Sequence, residues 1–146
     1  MIILDLSNVE QIIQYWKKEQ AFLSADISGM KKFLDNNDVQ QTKNCEYEVN
    51  AYIQSIEHWY HNILQYRKYL ANSLTDKTTL SEANLSEEQL ATLQRIVNEA
   101  REYYKTLRSI KKDLIRAKTK HVKARYGVRL VSRSELLSKL ESATKR

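Results

Sequence analysis

The chain contains no proline and only two glycines, Gly29 and Gly127, among its 146 residues. β-Sandwiches and β-barrels need turns about every 8–12 residues, and glycine and proline are the strongest residues for making them. The scarcity of both residues argues against an all-β fold. It favours long, uninterrupted helices.

Cysteine and long apolar runs are equally scarce. Cys45 is the single cysteine, so the chain can form no internal disulfide and has no second thiol for a zinc site. No apolar run approaches the roughly 18 residues that a membrane-spanning helix needs. The start of the chain, Met1 to Leu4, leads straight into Asp5 instead of the basic and long apolar regions of a secretion signal. We therefore expect a protein of the cytoplasm, or of the nucleus in a eukaryote, without membrane contact.

Motifs for catalysis and metal binding are also missing. The sequence has neither a glycine-rich phosphate loop nor a G-x-S-x-G nucleophile elbow. His58 and His61 are one helical turn apart, as some metal ligands are, but no Glu-x-x-His pair accompanies them because Tyr60 is the third residue after Glu57. We expect no catalytic residue, no metal and no cofactor, and hence a protein that is not an enzyme.

Helical periodicity is the main positive signal. Apolar residues recur at intervals of three and four from about residue 8 to 23, and a short amphipathic helix follows near 27–34. The same spacing continues without interruption from Val49 to Leu70, which predicts a long core helix. The polar stretch from Ser73 to Ser86 predicts a connecting loop with at most one helical turn.

Capping boxes mark three expected helix starts. Each pairs a serine with a glutamate or glutamine three residues later: Ser7 with Glu10, Ser86 with Gln89, and Ser132 with Glu135. The helix beginning at Ser86 should be long, because its apolar repeat weakens only near His121, and Gly127 offers a stop. The last capping box predicts a short terminal helix over residues 134–143.

These segments predict one helical domain over residues 1–146. The fold class is all-α: a helical bundle built around a long antiparallel helix hairpin, with short extra helices at both ends. The apolar repeat of the two longest helices, close to 3.5 residues, could also continue into a seam with a second copy.

The charges of the chain are strongly segregated. Residues 1–104 contain ten basic and fifteen acidic residues, whereas residues 105–133 contain eleven basic residues and the single acid Asp113. A field of one sign concentrates ligands of the opposite sign, so this asymmetry indicates an electrostatic partner.

The candidate binding site is the basic tract of residues 105–133. Spacings of three, four and seven put six of its cations near one side of the helix, where they could meet several phosphates. Tyr126 lies between Arg125 and Arg129, where an exposed ring could stack on a base. Tyr103 and Tyr104, by contrast, are expected to pack within the bundle. The complete candidate set is Lys105, Arg108, Lys111, Lys112, Arg116, Lys118, Lys120, Lys123, Arg125, Tyr126, Arg129 and Arg133.

Two other interpretations of the basic tract stay open. The cations could dock an acidic protein partner, or they could simply form a solvated helix face. The preferred prediction is a non-catalytic helical scaffold or adaptor that contacts the phosphates of a nucleic acid, with DNA favoured over RNA. The alternative is a protein-binding module, a complex subunit or an inhibitor, that binds no nucleic acid. Either function is compatible with a hetero-complex or a homodimer.

Residues 53–114 carry a resemblance to a known family. A long helix with the sequence IQSIEHWYHNILQYRKYL is followed by a polar loop, the segment LSEEQL, and a helix containing Glu102-Tyr103-Tyr104. Residues 12–19, with their tryptophan and glutamate, are similar to the opening helix of the same family. This order of elements resembles the helical domain of GINS subunits, in the class where that domain comes first. The resemblance implies a non-catalytic scaffold in DNA replication that bridges the MCM helicase to other replisome proteins and contacts DNA.

Overall fold

The computed structural model of the protein describes residues 1–36 and 45–126, with side chains as far as Lys123. Every element in these ranges is helical, which confirms the predicted all-α class. In chain order they are a 3₁₀ turn, Leu6–Asn8; α1, Val9–Asp35; α2, Cys45–Leu64; a π-helical turn, Gln65–Leu70; α3, Ala71–Thr75; α4, Lys77–Ala83; and α5, Glu87–Tyr126. The expected terminal helix 134–143 and the stop at Gly127 lie outside the described residues.

Helices α1, α2 and α5 form the bundle. Helix α2 runs antiparallel to α5, because Asn50 near its start contacts Lys118 and Tyr60 near its end contacts Tyr104. This pair is the predicted antiparallel hairpin. Helix α1 runs parallel to α5, and its contacts with α5 advance along both helices, from Glu10 with Gln89 to Trp16 with Glu99 to Ser24 with Tyr103.

One hydrophobic core joins the three helices. Its members recur at helical spacing on each helix, and their burial supplies the main free energy that holds the bundle together, about 1.5–3 kcal/mol for each large aliphatic side chain. The residues with the largest fully buried side chains include Leu23 and Met30 from α1, Ile56 and Ile63 from α2, and Leu93, Leu107 and Leu114 from α5.

The N-terminal helices differ from the prediction. Helix α1 is continuous from Val9 to Asp35, whereas the sequence predicted one helix to residue 23 and a separate short one. The polar residues at the expected break do not cap a helix end: Ser24 bonds to the Tyr103 hydroxyl (3.0 Å), and Asp26 accepts from Trp59 Nε1 (2.8 Å). These contacts to neighbouring helices let the polar residues remain inside α1.

Two predicted capping boxes have different outcomes. The Ser7–Glu10 prediction is wrong, because a 3₁₀ turn precedes α1 and Asp5 accepts the backbone N–H of Ser7 instead (2.9 Å). The Ser86–Gln89 box is confirmed in both directions. Gln89 N–H donates to Ser86 Oγ (3.1 Å), and Ser86 N–H donates to Gln89 Oε1 (3.0 Å). The start of α5 is therefore fixed as the sequence predicts.

The long helix predicted from Val49 to Leu70 forms, but it contains a π-helical turn at Gln65–Leu70. This turn places Tyr66 against Trp16, with ring centroids 4.8 Å apart. Partial burial raises the pKa of the Glu19 carboxyl, and the neighbouring Tyr66 hydroxyl opposes that rise. Single π turns occur inside longer α-helices, and this one carries Tyr66 to the Trp16 ring of α1.

The expected loop at 73–86 is mostly helical. The helical path continues to Thr75, and α4 follows from Lys77 to Ala83. Asp76 starts α4 by accepting the backbone N–H of Thr79 (3.1 Å), and Asn84 ends it in the left-handed conformation with φ of 51°. The polar residues that suggested a loop thus act as caps of a short helix.

Candidate nucleic-acid interface

The C-terminal half of α5 is held by a buried stripe. Leu107, Ile110, Leu114, Ala117 and His121 are all buried and follow intervals of three and four. Because 3.6 residues make one turn, residues on the opposite side of the helix must face solvent. The apolar stripe therefore determines which of the basic side chains can meet a ligand.

Six cations lie on the side of α5 opposite this stripe, and all six are exposed. We call this surface the cation face; it consists of Lys105, Arg108, Lys112, Arg116, Lys120 and Lys123. From its first to its last residue the face is about 27 Å long, at a helical rise of about 1.5 Å per residue. The structure therefore puts together, on one continuous surface, the cations whose spacing suggested a common side.

Only part of the cation face is compensated by acids of the chain. Lys105 pairs with Glu102 (3.3 Å) and Arg116 with Asp113 (3.5 Å), both within α5 and both exposed. Exposed pairs of this kind are worth little, so they would exchange readily for an external anion. Within residues 1–36 and 45–123, no acid lies within ion-pairing distance of the other four cations: Arg108, Lys112, Lys120 and Lys123.

Two cations of the predicted site face α2 instead of solvent. Lys111 forms an ion pair with Glu57, and its ammonium lies 5.9 Å from the centre of the Tyr60 ring. Lys118 donates to Asn50 Oδ1 (3.0 Å). The hydrogen bond to Glu57 raises the pKa of Lys111. Both lysines are partly buried and connect α5 to α2, and their place in the phosphate-binding set stays a prediction.

The remaining predicted site residues cannot be placed on the cation face. Arg125 and Tyr126 belong to α5, but their side chains are outside the described set. Arg129 and Arg133 lie outside the described residues altogether.

The tyrosines before the cation face pack inside the bundle. Tyr103 contacts Trp16 edge-on, with centroids 5.9 Å apart, and its hydroxyl bonds to Ser24. The ring of Tyr104 lies 5.0 Å from that of Tyr60, and the Arg67 guanidinium covers it at 4.2 Å. Their function is therefore structural, as the periodicity indicated.

The groups considered for metal or thiol chemistry are dispersed. Among the residues the structure describes, no three histidine, cysteine or acidic side chains are close enough to hold a metal ion together. His58 and His61 are exposed on α2, whereas His121 is buried in α5. Burial, followed by the charges of Glu48 and Glu46, raises the pKa of the Cys45 thiol.

Several exposed apolar side chains did not enter the predicted site. Tyr47 on α2 is 77% exposed and Ile115 on α5 is 47% exposed. On α1, Phe22 is 68% exposed whereas the next residue, Leu23, is fully buried, because neighbours on a helix point about 100° apart. Tyr47 could have been recognised from the sequence, since it falls outside the three-four apolar pattern that starts at Val49.

Within the described part of the chain, no helix is both long enough and apolar enough to cross a membrane. Comparisons with protein-family models, with curated proteins and with solved structures found no match. The resemblance to GINS subunits consequently stays a prediction.

Proposed function

We propose that this protein is a non-catalytic helical scaffold or adaptor that binds nucleic acid, DNA in preference to RNA, through the cation face of α5. The observation that carries the proposal is the set of four exposed cations, Arg108, Lys112, Lys120 and Lys123, without an acidic partner among the described residues. Unneutralised cations repel one another along one helix, and a polyanion relieves that repulsion while it releases its own counterions.

The geometry of the face suits a phosphate backbone. Its cations are spread over about 27 Å along one helix, so several of them can meet successive phosphates of one strand. Phosphate contacts provide affinity and orientation but do not select a base sequence. The cation face alone therefore predicts binding with little sequence preference, as a scaffold on nucleic acid would need. A place in DNA replication, as the GINS resemblance implies, is the most specific form of this proposal.

The experiment is a salt titration of binding to labelled DNA and RNA. In the test variant, Lys112, Arg116, Lys120 and Lys123 are all changed to glutamate. We expect wild-type affinity to fall steeply as salt rises, and the variant to bind about 100-fold more weakly or not at all.

The matched control reverses four exposed lysines of α1, namely Lys17, Lys18, Lys31 and Lys32. It changes the formal net charge by the same amount, so it separates an effect of this face from an effect of total charge. The control should bind within a few-fold of the wild type. Equal losses in both variants, or no wild-type binding at low salt, would refute the proposal. Circular dichroism of all three proteins verifies that the helices are retained.

The second candidate function is docking of an acidic protein. It is favoured by the carboxylate and amide groups that the tract already binds within the chain: Lys105 with Glu102, Lys111 with Glu57, Arg116 with Asp113, and Lys118 with Asn50. An oligoglutamate peptide and an oligonucleotide of equal formal charge, measured at the same salt concentration, distinguish the two functions. Tighter binding of the peptide would favour the protein partner.

A further inference from the structure

Tyr47 is the aromatic side chain of α2 that the bundle does not use. The other rings of this helix are engaged: Tyr52 packs on Phe33 at 5.3 Å, Tyr60 packs on Tyr104, and Trp59 donates to Asp26. Tyr47 is 77% exposed. A large ring left in water loses the free energy that burial would supply. Its position relative to the cation face therefore indicates whether a ligand of that face could cover it.

The register of α2 against α5 places Tyr47, on the adjacent helix, at the same axial level as the distal end of the cation face. Asn50 contacts Lys118, and the two helices are antiparallel. Tyr47 precedes Asn50 by three residues, or about 4.5 Å along the axis, and therefore lies at the level of the residues that follow Lys118 by about one turn. That level falls between Lys120 and Lys123, the two distal cations without an acidic partner among the described residues.

Ile115 adds a second apolar surface to the same side. It lies on α5 between Lys111 and Lys118, the two lysines that contact α2, and it is 47% exposed along the outer edge of that contact. Lys112 precedes Ile115 by three residues and is therefore its neighbour on the helix surface. The cation face is thus bordered on its α2 side by an exposed isoleucine, and an exposed tyrosine lies on α2 at the axial level of its distal end.

We infer that the ligand of the cation face is a single-stranded nucleic acid, with its phosphates on the cations and a base stacked on Tyr47. This inference rests on the proposed function and specifies its ligand. A duplex presents phosphates and sugars to a flanking helix and keeps its bases stacked on one another, so it offers Tyr47 and Ile115 no apolar partner. A single strand exposes the faces of its bases, and proteins that bind single strands combine a cationic surface with aromatic side chains on which bases stack.

The test compares a labelled dT20 oligonucleotide, an rU20 oligonucleotide and a 20-base-pair duplex at one salt concentration. The wild type should bind dT20 more tightly than the duplex. Tyr47→Ala should weaken dT20 binding about 5- to 150-fold, the range expected for loss of one stacked base, and leave duplex binding within about twofold. Tyr47→Phe keeps the ring and should stay within about threefold of the wild type. The rU20 arm shows whether the 2′-hydroxyl affects the binding.

Tyr15→Ala is the matched control, because Tyr15 is also an exposed tyrosine (61%) but lies on α1. It should change no affinity. Ultraviolet cross-linking of wild-type protein to dT20, mapped by mass spectrometry, should identify Tyr47 and needs no variant to fold. Equal affinity for duplex and single strand, together with no effect of Tyr47→Ala, would overturn this inference and leave the proposed function intact. Failure to bind any of the three nucleic acids would overturn both.

Discussion

Five lysines of the basic half of α5 fall into two groups that face different directions. Lys112, Lys120 and Lys123 face solvent and have no acidic partner among the described residues, whereas Lys111 and Lys118 face α2 and contact Glu57 and Asn50. All five belong to the same helix and the same charged stretch. The comparison shows that charge density alone does not tell which cations are exposed. The packing of a neighbouring helix decides which cations remain available.

The largest expected effect separates the buried stripe of α5 from the cation face. Leu107 is fully buried, and Leu107→Ala should lower the free energy of unfolding by about 2–5 kcal/mol, because it removes apolar contacts and leaves a cavity. Its neighbour Arg108 is exposed, so Arg108→Ala should stay within about 0.5 kcal/mol of the wild type. Urea unfolding followed by circular dichroism measures both. Similar losses for the two variants would mean that the stripe and the face are assigned incorrectly.

The division between these two sides was partly accessible from the sequence. The three-four repeat of Leu107, Leu114 and their neighbours predicted the core side of α5, and the Ser86–Gln89 capping box predicted where the helix begins. The same repeat contained a signal that went unused: Lys111 follows Leu107 by four residues, and Lys118 follows Leu114 by four. Residues four apart are neighbours on a helix surface, so these two lysines lie beside the core, not opposite it.

Other features depend on tertiary contacts that periodicity does not contain. The sequence pattern allowed a break in α1 near Ser24, but the hydrogen bonds of Ser24 with Tyr103 and of Asp26 with Trp59 join helices far apart in the chain. The Gln65–Leu70 π turn likewise adjusts α2 to a neighbour. The side of α5 on which α2 lies, and hence the axial level of Tyr47 relative to the cation face, follows only from the assembled bundle.

A smaller effect sharpens the comparison within the proposed binding reaction. Each outward cation that meets a phosphate should contribute about 0.9 to the slope of log K against log salt on a duplex, or about 0.7 on a single strand. Lys112→Gln and Lys120→Gln should each reduce the magnitude of the slope by such an amount. The Lys118 ammonium already donates to Asn50 within the chain, so Lys118→Gln should leave the slope unchanged. Fluorescence anisotropy at several salt concentrations gives all three slopes, and a reduced slope for Lys118→Gln would place that lysine in the interface.

The smallest expected effect concerns the Lys111–Glu57 ion pair and its dependence on pH. The hydrogen bond to Glu57 raises the pKa of Lys111 above its ordinary 10.5, so the folded state retains that proton more strongly than the unfolded state does. The stability that this pair contributes is fully present below pH 10.5 and is lost as the pH rises through the folded-state pKa. The free energy of unfolding of Lys111→Met should therefore fall less than that of the wild type as the pH rises from about 10 through the folded-state pKa of Lys111. Lys112→Met should follow the wild-type curve, because no acidic partner of Lys112 lies among the described residues.

Because both side chains of the pair are partly exposed, its contribution near neutral pH should be at most about 1 kcal/mol. A double-mutant cycle of Lys111→Met and Glu57→Gln measures that coupling directly by urea unfolding, and the cycle of Lys112→Met with Glu57→Gln supplies the reference. The first coupling should fade as the pH rises past the folded-state pKa of Lys111, and the second should be near zero throughout. Couplings of equal size in both cycles would mean that Glu57 acts on the whole face by long-range charge and not through one contact. The distinction between inward and outward cations would then be removed.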